Sequence, residues 1–203
     1  DPYSASKAAS ELVIASYRDA FLRKQGVAIA SARAGNVIGG GDWSVDRLIP
    51  DALRAWRTDK VLQVRSPDAI RPWQHVVEPL HGYLRLAETL WRQPDVSGAY
   101  NFGPHTHAAA TVRDVVEQAR VAYGRGEVNY ASKDEGPHEA GWLTLETAKA
   151  RTALGVSPKW GLSETVTRTV AWHRNLEDGG HARDLCLAEI NDYHTASTDE
   201  AKP

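Results

Sequence analysis

Residues 27–43 read VAIASARAGNVIGGGDW and give the first indication of the fold. Val27 and Ile29, with the alanines around them, predict a short buried strand that runs into Arg33. A glycine-rich loop, residues 34–43, follows this strand directly. Because ligands in open α/β sheets bind beyond the carboxyl ends of strands, we expect the loop to line a site. The alternative is a mobile surface loop, which its glycine content also allows.

Helical and strand patterns alternate on both sides of this stretch. Upstream, Asp1 and Pro2 predict the start of a helix that continues to Arg23 and ends at Gly26. Downstream, we predict helices over 47–56, 76–91, 144–154 and 163–176, another helix capped by Thr111, and strands over 61–64, 99–102 and 128–130. Such alternation indicates a layered α/β protein. We expect it to occupy residues 1–180, followed by a polar tail over 181–203.

The composition limits the classes of function. The chain has 203 residues, a 42% apolar fraction and a net charge of −2, so we expect a globular domain that does not bind nucleic acid. No apolar run approaches the length of a membrane span, so no membrane partner is expected. A single cysteine, Cys186, excludes an intrachain disulfide and fits the cytoplasm. Because the sequence contains no methionine, we expect it to be the later part of a longer chain.

Tyr3 and Lys7 are the first candidates for chemistry. Their spacing of four residues places both side chains on one face of the predicted helix. An ammonium group held beside a phenol favours the phenolate form, which can act as a base. The alternative is an exposed pair on a solvated helix, because this spacing is common.

Two further segments suggest contacts with a phosphorylated ligand. Arg71 lies in the string 70–76, which we expect to open the long helix, where a helix N-terminus would help an arginine bind phosphate. Glu139, in the string 137–140, could accept hydrogen bonds from ribose hydroxyls. Trp43 and Trp73 are candidates for stacking on a ligand. The alternative for the arginine and the acid is a solvated side chain.

The eight histidines suggest a metal site, with His105 and His107 as the most suggestive pair. No carboxylate stands close to that pair in the sequence, which makes poor zinc geometry. We therefore predict no metal site, and a metal-dependent hydrolase remains an alternative. The chain also lacks both the Walker phosphate loop and the G-x-G-x-x-G dinucleotide fingerprint.

Taken in order, these segments resemble the extended short-chain dehydrogenase/reductase family of nucleotide-sugar enzymes. The resemblance runs from Asp1 to about Leu176 and includes Tyr3-x-x-x-Lys7, the Arg-x-x-Asn segment 33–36 and the Arg-Leu-Ile-Pro run 47–50. Within that family, the strings 33–43, 71–76, 101–104 and 137–140 are most similar to those of the 4,6-dehydratases that act on CDP-glucose. The family's glycine fingerprint and its threonine–acid–acid segment would lie upstream. We therefore expect this chain to be inactive alone.

The resemblance implies the later part of a Rossmann-type parallel sheet together with a smaller α/β substrate-binding lobe. The implied reaction converts CDP-glucose into CDP-4-keto-6-deoxyglucose and water, with a hydride moving from sugar C4 to bound NAD and back to C6. A homodimer of the full-length protein is also implied. The alternatives are another nucleotide-sugar dehydratase or epimerase of the family, and a sugar-nucleotide-binding lobe without turnover.

The resemblance also implies a role for particular residues. Tyr3 would accept the C4 hydroxyl proton, and Lys7 would hold the nicotinamide ribose. Gly35 would lie beside the nicotinamide. The residues implied for the sugar nucleotide are Asn36, Arg71 and Asn101 on the diphosphate side, Glu139 at the ribose, and Arg47 and Leu48 along its length.

Overall fold

The computed structural model describes residues 1–131 and 141–196, and helices alternate with strands through most of them. The helices are α1 (Pro2–Tyr17), α2 (Leu48–Arg57), α3 (Val77–Arg92), α4 (Val112–Tyr123), α5 (Ala148–Leu154), α6 (Leu162–Glu177) and α7 (Ala182–Thr195). The strands are β1 (Ala30–Ala34), β2 (Asn36–Ile38), β3 (Val61–Val64), β4 (Ile70–Arg71), β5 (Trp73–His75), β6 (Gly98–Phe102), β7 (Ala110–Thr111) and β8 (Glu127–Tyr130). The predicted α/β class is confirmed.

Helix ends follow the chemistry of their sequences. The Asp1 carboxylate accepts a hydrogen bond from the Ser4 backbone N–H at 2.9 Å, and Pro2 occupies the first turn of α1. Gly26, with φ of 70°, ends the short π and 3₁₀ turns that follow α1. Thr111 caps α4 in a capping box with Asp114, as its position predicted.

The strands pair mainly in parallel, and the chain changes partner at Gly35. Before Gly35, β1 pairs with β6, with Ala34 opposite Phe102. After it, β2 pairs with β5, with Asn36 opposite Trp73. In addition, β3 and β8 pair in parallel, while β4 and β7 form a short antiparallel pair. The partner change places Gly35 and Asn36 at the carboxyl end of β1.

Two hydrophobic clusters hold the elements together. The larger joins α2, α4 and α6 to β3 and β8, and its most buried side chains include Trp56, Val115 and Val170. The smaller joins β6 to α3 and α5 through Tyr100, Phe102, Leu86 and Leu154. In the described ranges, the structure has no helix with the length and apolar character of a membrane span.

The structure differs from the sequence-based expectations in several segments, and residues 144–147 of the predicted helix 144–154 precede α5 as non-helical chain. Residues 36–38, predicted as part of a glycine-rich loop, form β2, because their backbone groups pair with β5. Residues 182–195, predicted within a polar tail, form α7. The helix was missed because its sequence is polar, and it docks largely through polar contacts. Tyr193, 1% exposed, donates its hydroxyl hydrogen to the buried Glu78 carboxylate at 2.7 Å.

Candidate functional site

The N-terminal end of α1 presents Tyr3 and Lys7 to solvent on one face. The Tyr3 side chain is 72% exposed, and the Lys7 ammonium nitrogen stands 5.3 Å from the centroid of its ring. This distance lies within the range of a cation–π contact. The predicted proximity of the two side chains is therefore seen in the structure, and the phenol hydroxyl is open to a ligand.

The junction between β1 and β2 brings three predicted site residues together. Gly35 packs against Pro72 so tightly that a Cβ would lie 2.7 Å from the proline ring. The Asn36 backbone N–H donates to the Pro72 carbonyl oxygen at 3.1 Å. Arg71 precedes Pro72 directly, so Gly35, Asn36 and Arg71 gather at the carboxyl end of β1. In α/β sheets this edge is the usual place for a ligand.

Arg71 lies on β4, not in the first turn of a helix. The prediction that a helix N-terminus assists Arg71 is therefore wrong, because α3 begins only at Val77, after a stretch of mostly extended chain. Pro72 and the strand pairings on either side of it keep this segment extended. The half-buried Arg71 guanidinium donates to the Ile70 carbonyl oxygen at 2.9 Å, among its contacts.

The prediction that Trp73 stacks on a ligand is also wrong. The structure buries this side chain to 6% exposure, and its indole N–H donates to the Ala110 carbonyl oxygen at 3.2 Å. Trp73 therefore packs in the larger hydrophobic cluster and is not available for stacking on a ligand. Trp43 keeps 44% of its surface exposed and remains a candidate for stacking.

Asn101 occupies β6 opposite Arg33 and is half-buried. Its side-chain N–H donates to the Glu146 carbonyl oxygen at 3.0 Å, which holds the segment before α5. Its side-chain oxygen lines a cavity of about 20 Å³ with Gln74, and no described residue donates a hydrogen bond to that oxygen. Gln74 in turn donates to the Phe102 carbonyl oxygen at 2.9 Å and links β5 to the carboxyl end of β6.

Helix α6 supports the first half of the loop that follows β2. The Trp172 indole fills the space beside Gly40, where a Cβ would lie 2.1 Å from an indole carbon. Trp43 meets His173 edge to face, with 4.8 Å between ring centroids. Burial lowers the pKa of His173, which favours the neutral ring that packs against Trp43.

Arg54 supports the second half of the same loop. Its guanidinium donates to the carbonyl oxygens of Trp43 and Ser44, each at 2.9 Å. The loop then leads to Arg47, whose exposed side chain stands at the N-cap of α2. Leu48 packs at the edge of the larger hydrophobic cluster. The sequence predictions missed the supporting roles of Arg54 and Trp172, because the contacts of both side chains depend on how α2 and α6 pack against the loop.

The remaining predicted residues concern ribose and metal binding. Glu139 lies outside the described residues, so its predicted role at the ribose stays a prediction. Within the described ranges, no group of three or more potential metal ligands comes together. His105 and His107 stack with 5.4 Å between ring centroids. The alternative of a metal-dependent hydrolase therefore gains no support from the described residues.

The sequence is similar to known proteins of one enzyme family. The sequence profile of the NAD dependent epimerase/dehydratase family matches residues 1–103. The chain is 43% identical over 204 residues to the CDP-glucose 4,6-dehydratase of Salmonella typhimurium, covering 98% of this chain and 57% of that protein. It is 30% identical over 182 residues to the dTDP-glucose 4,6-dehydratase of Streptomyces antibioticus, covering 86% of this chain and 49% of that protein.

A solved structure of another family member has a similar fold. The structure matches UDP-glucose 4-epimerase from Thermus thermophilus, solved with NAD, at a TM-score of 0.69 and 26% identity. The match covers 86% of this chain and 54% of the epimerase. The Rossmann-type fold of the family is thus confirmed. The chain spans about half the length of the relatives that it matches.

Proposed function

The chain belongs to the NAD dependent epimerase/dehydratase family, and from this we propose that its full-length protein converts CDP-glucose into CDP-4-keto-6-deoxyglucose and water. The observation that carries the proposal is the 43% identity to a CDP-glucose 4,6-dehydratase over 98% of this chain. The identity to the dTDP-glucose enzyme is lower, at 30%, which favours CDP-glucose as the substrate.

We assign the proton transfer to Tyr3. Its hydroxyl stands at the open end of α1, where it can receive the proton of the sugar C4 hydroxyl. Lys7 lies 5.3 Å from the Tyr3 ring, so its positive charge favours the anionic form that accepts a proton. The same ammonium can donate hydrogen bonds to a ribose, which is the second role that we assign to it.

The edge around Gly35 fits the proposed cofactor. Pro72 fills the space that a Cβ at position 35 would need, so glycine keeps this edge of β1 narrow where we propose that the nicotinamide lies. NAD, when bound, supplies a hydride acceptor that the protein side chains lack. Gly35, Tyr3 and Lys7 are the described residues that we propose to hold it.

The sugar nucleotide is assigned to the neighbouring segments. Arg71 offers a guanidinium to the diphosphate, and Asn36 lies next to it through the Pro72 contact. Arg47 and Leu48 would line the nucleotide where the loop after β2 leads into α2. We further assign Asn101 to the diphosphate side and Glu139 to the ribose. The proposed substrate and cofactor are cytoplasmic metabolites, so we place the protein in the cytoplasm.

A substrate panel tests the proposed function. The full-length protein, incubated separately with CDP-glucose, dTDP-glucose and UDP-galactose, should convert CDP-glucose into a product lighter by one water, as seen by mass spectrometry. Loss of water from dTDP-glucose alone would assign the other nucleotide. Conversion of UDP-galactose without a change of mass would assign an epimerase. Binding of a nucleotide sugar with no product would indicate a lobe without turnover.

A further inference from the structure

We infer that Glu11 is a positioning residue that fixes the rotation of α1 and thereby directs Tyr3 and Lys7 toward the carboxyl end of β1. This inference rests on the proposed function, because it concerns the pair to which the proton transfer is assigned. Glu11 itself is not assigned a contact with the substrate or the cofactor.

The spacing of residues on α1 is the first observation. Tyr3, Lys7 and Glu11 follow one another at intervals of four, so they share a face of the helix. The half-buried Ile14 and Arg18 continue that face toward the C-terminal end. The C-terminal part of this helix face is therefore half-buried against the protein. Tyr3 and Lys7 lie at its exposed N-terminal end.

The contacts of Glu11 are the second observation. One carboxylate oxygen lies 3.0 Å from the Arg33 Nε, and the other accepts the Ser31 hydroxyl hydrogen at 2.9 Å. Ser31 and Arg33 are two residues apart on β1, so both side chains leave the same face of that strand. Two bonds from one carboxylate to two points along a strand oppose rotation of the helix about its axis.

Apolar contacts between α1 and the other described residues are few. None of the residues of α1 is fully buried, and its apolar side chains Leu12 and Val13 are 74% and 63% exposed. A half-exposed ion pair adds little to stability. A misplacement of about 1 Å, however, can slow an enzyme reaction roughly 100-fold. The main consequence of losing Glu11 is therefore expected in catalysis.

The distances along the two elements agree with this role. The left-handed conformation of Gly26 ends the helical turns and lets the chain return along α1 into β1. From Glu11 to Tyr3 the helix rises about 12 Å, at roughly 1.5 Å per residue. From the Ser31–Arg33 contact to Asn36 the extended chain covers about 13 Å, at roughly 3.3 Å per residue. The two lengths are similar, so an α1 that runs antiparallel to β1 from the Glu11 contacts would carry Tyr3 to about the level of Asn36.

The test compares Glu11→Ala and Glu11→Gln in the full-length protein. Glu88→Gln is the matched control, because Glu88 is a surface carboxylate that also contacts two arginines, at 2.6 and 2.8 Å, away from the site. Glu11→Ala should lower kcat about 10-fold or more, with KM for CDP-glucose changed less than about twofold. Glu11→Gln, whose amide oxygen can accept from the Arg33 Nε while its amide N–H donates to the Ser31 hydroxyl oxygen, should recover most of the loss. The control should behave as the wild type.

Three further readouts separate positioning from other roles. With CDP-glucose deuterated at C4, the isotope effect on kcat should grow in Glu11→Ala, because hydride transfer becomes slower. The pH profile of kcat should not move, because Tyr3 and Lys7 sit on the same helix and keep their mutual distance. The thermal midpoint should stay near that of the control. A shifted pH profile would assign Glu11 a direct part in proton transfer and overturn the inference.

An additional measurement does not depend on the proposed function. Amide hydrogen exchange over residues 3–11 should rise in Glu11→Ala and remain unchanged in Glu88→Gln. If the wild type converts none of the three nucleotide sugars, the proposed function fails, and exchange still decides whether Glu11 holds α1. Unchanged exchange, or an unchanged kcat in an active enzyme, would overturn the positioning role.

Discussion

Pro72 lies against Gly35 at a distance that leaves no room for a side chain. A Cβ at position 35 would stand 2.7 Å from both the Cγ and the carbonyl oxygen of Pro72. That carbonyl oxygen also accepts the Asn36 N–H at 3.1 Å. This contact joins the end of β1 to the segment of Arg71, so the proposed cofactor and diphosphate positions depend on each other.

Replacing Gly35 by alanine should destabilise the protein through this contact. Both close atoms belong to a rigid ring and to the backbone, so neither can rotate away, and we expect a loss of about 1–3 kcal/mol in the free energy of unfolding. Urea denaturation measures it. Gly141→Ala is the control, because no described atom comes within 4 Å of a Cβ there. Equal midpoints for the two variants would contradict the tight contact.

Removing the Tyr3 hydroxyl should abolish most of the turnover of the full-length enzyme. We expect Tyr3→Phe to lower kcat by about 10²-fold or more with little change in CDP-glucose binding, because the hydroxyl acts on a proton in the transition state. Steady-state kinetics and calorimetric titration measure the two quantities. Tyr17→Phe, at an exposed tyrosine of the same helix, is the control. Near-normal turnover in Tyr3→Phe would remove Tyr3 from the mechanism.

Arg71→Ala should weaken binding of the sugar nucleotide more than it slows the reaction. A charge-assisted hydrogen bond to phosphate contributes roughly 1.5–3 kcal/mol, so the dissociation constant should rise about 10- to 100-fold. The diphosphate does not react, so kcat should change little. Calorimetric titration of CDP-glucose compares this variant with Arg65→Ala, which alters an exposed arginine just after β3. Equal dissociation constants for the two variants would show that Arg71 is not a phosphate ligand.

His75 should make the stability of the fold depend on pH. Burial, with the charge of Arg168, lowers the pKa of His75 to about 4, and the Glu189 carboxylate lies 3.6 Å from its Nε2. Between pH 6.5 and 4 the unfolded chain therefore binds more protons at this residue, and stability falls as pH falls. The loss approaches about 1.4 kcal/mol per pH unit at most.

The comparison with His75→Gln isolates this effect, because other titrating groups remain in both proteins. Urea unfolding at several pH values should show the stability advantage of the wild type shrinking as the solution is acidified. A constant difference in the free energy of unfolding between the wild type and His75→Gln from about pH 6.5 to 4.5 would contradict a neutral buried histidine in the folded state.

Local patterns were sufficient to predict much of the fold. The α1 cap at Asp1, the cap at Thr111 and the strand that precedes Gly35 all depend on neighbouring residues, and the structure contains all three, although the strand begins at Ala30 and is not buried as predicted. Helix α7 was missed because its docking depends on Tyr193 meeting Glu78, which is 115 residues away in the chain. No periodicity within α7 reveals such a contact.

In the candidate site too, features set by neighbouring residues could be predicted, and features set by distant contacts could not. The proximity of Tyr3 and Lys7 follows from helix geometry and could be predicted. The burial of Trp73 and the strand conformation of Arg71 depend on pairing with β7 and β2, which are distant in the sequence. The contacts of Glu11 with β1 were missed for a similar reason, although its spacing of four residues from Lys7 offered a signal.

The proposed CDP-glucose 4,6-dehydratase activity of the full-length protein depends on internal hydride transfer. Its most direct test is to supply CDP-glucose deuterated at C4 and to locate the deuterium in the product by NMR. The product should be a 4-keto-6-deoxy sugar with deuterium on the C6 methyl group. Deuterium that remains at C4 of an epimerised sugar, or a dehydrated product whose C6 carries no deuterium, would contradict it.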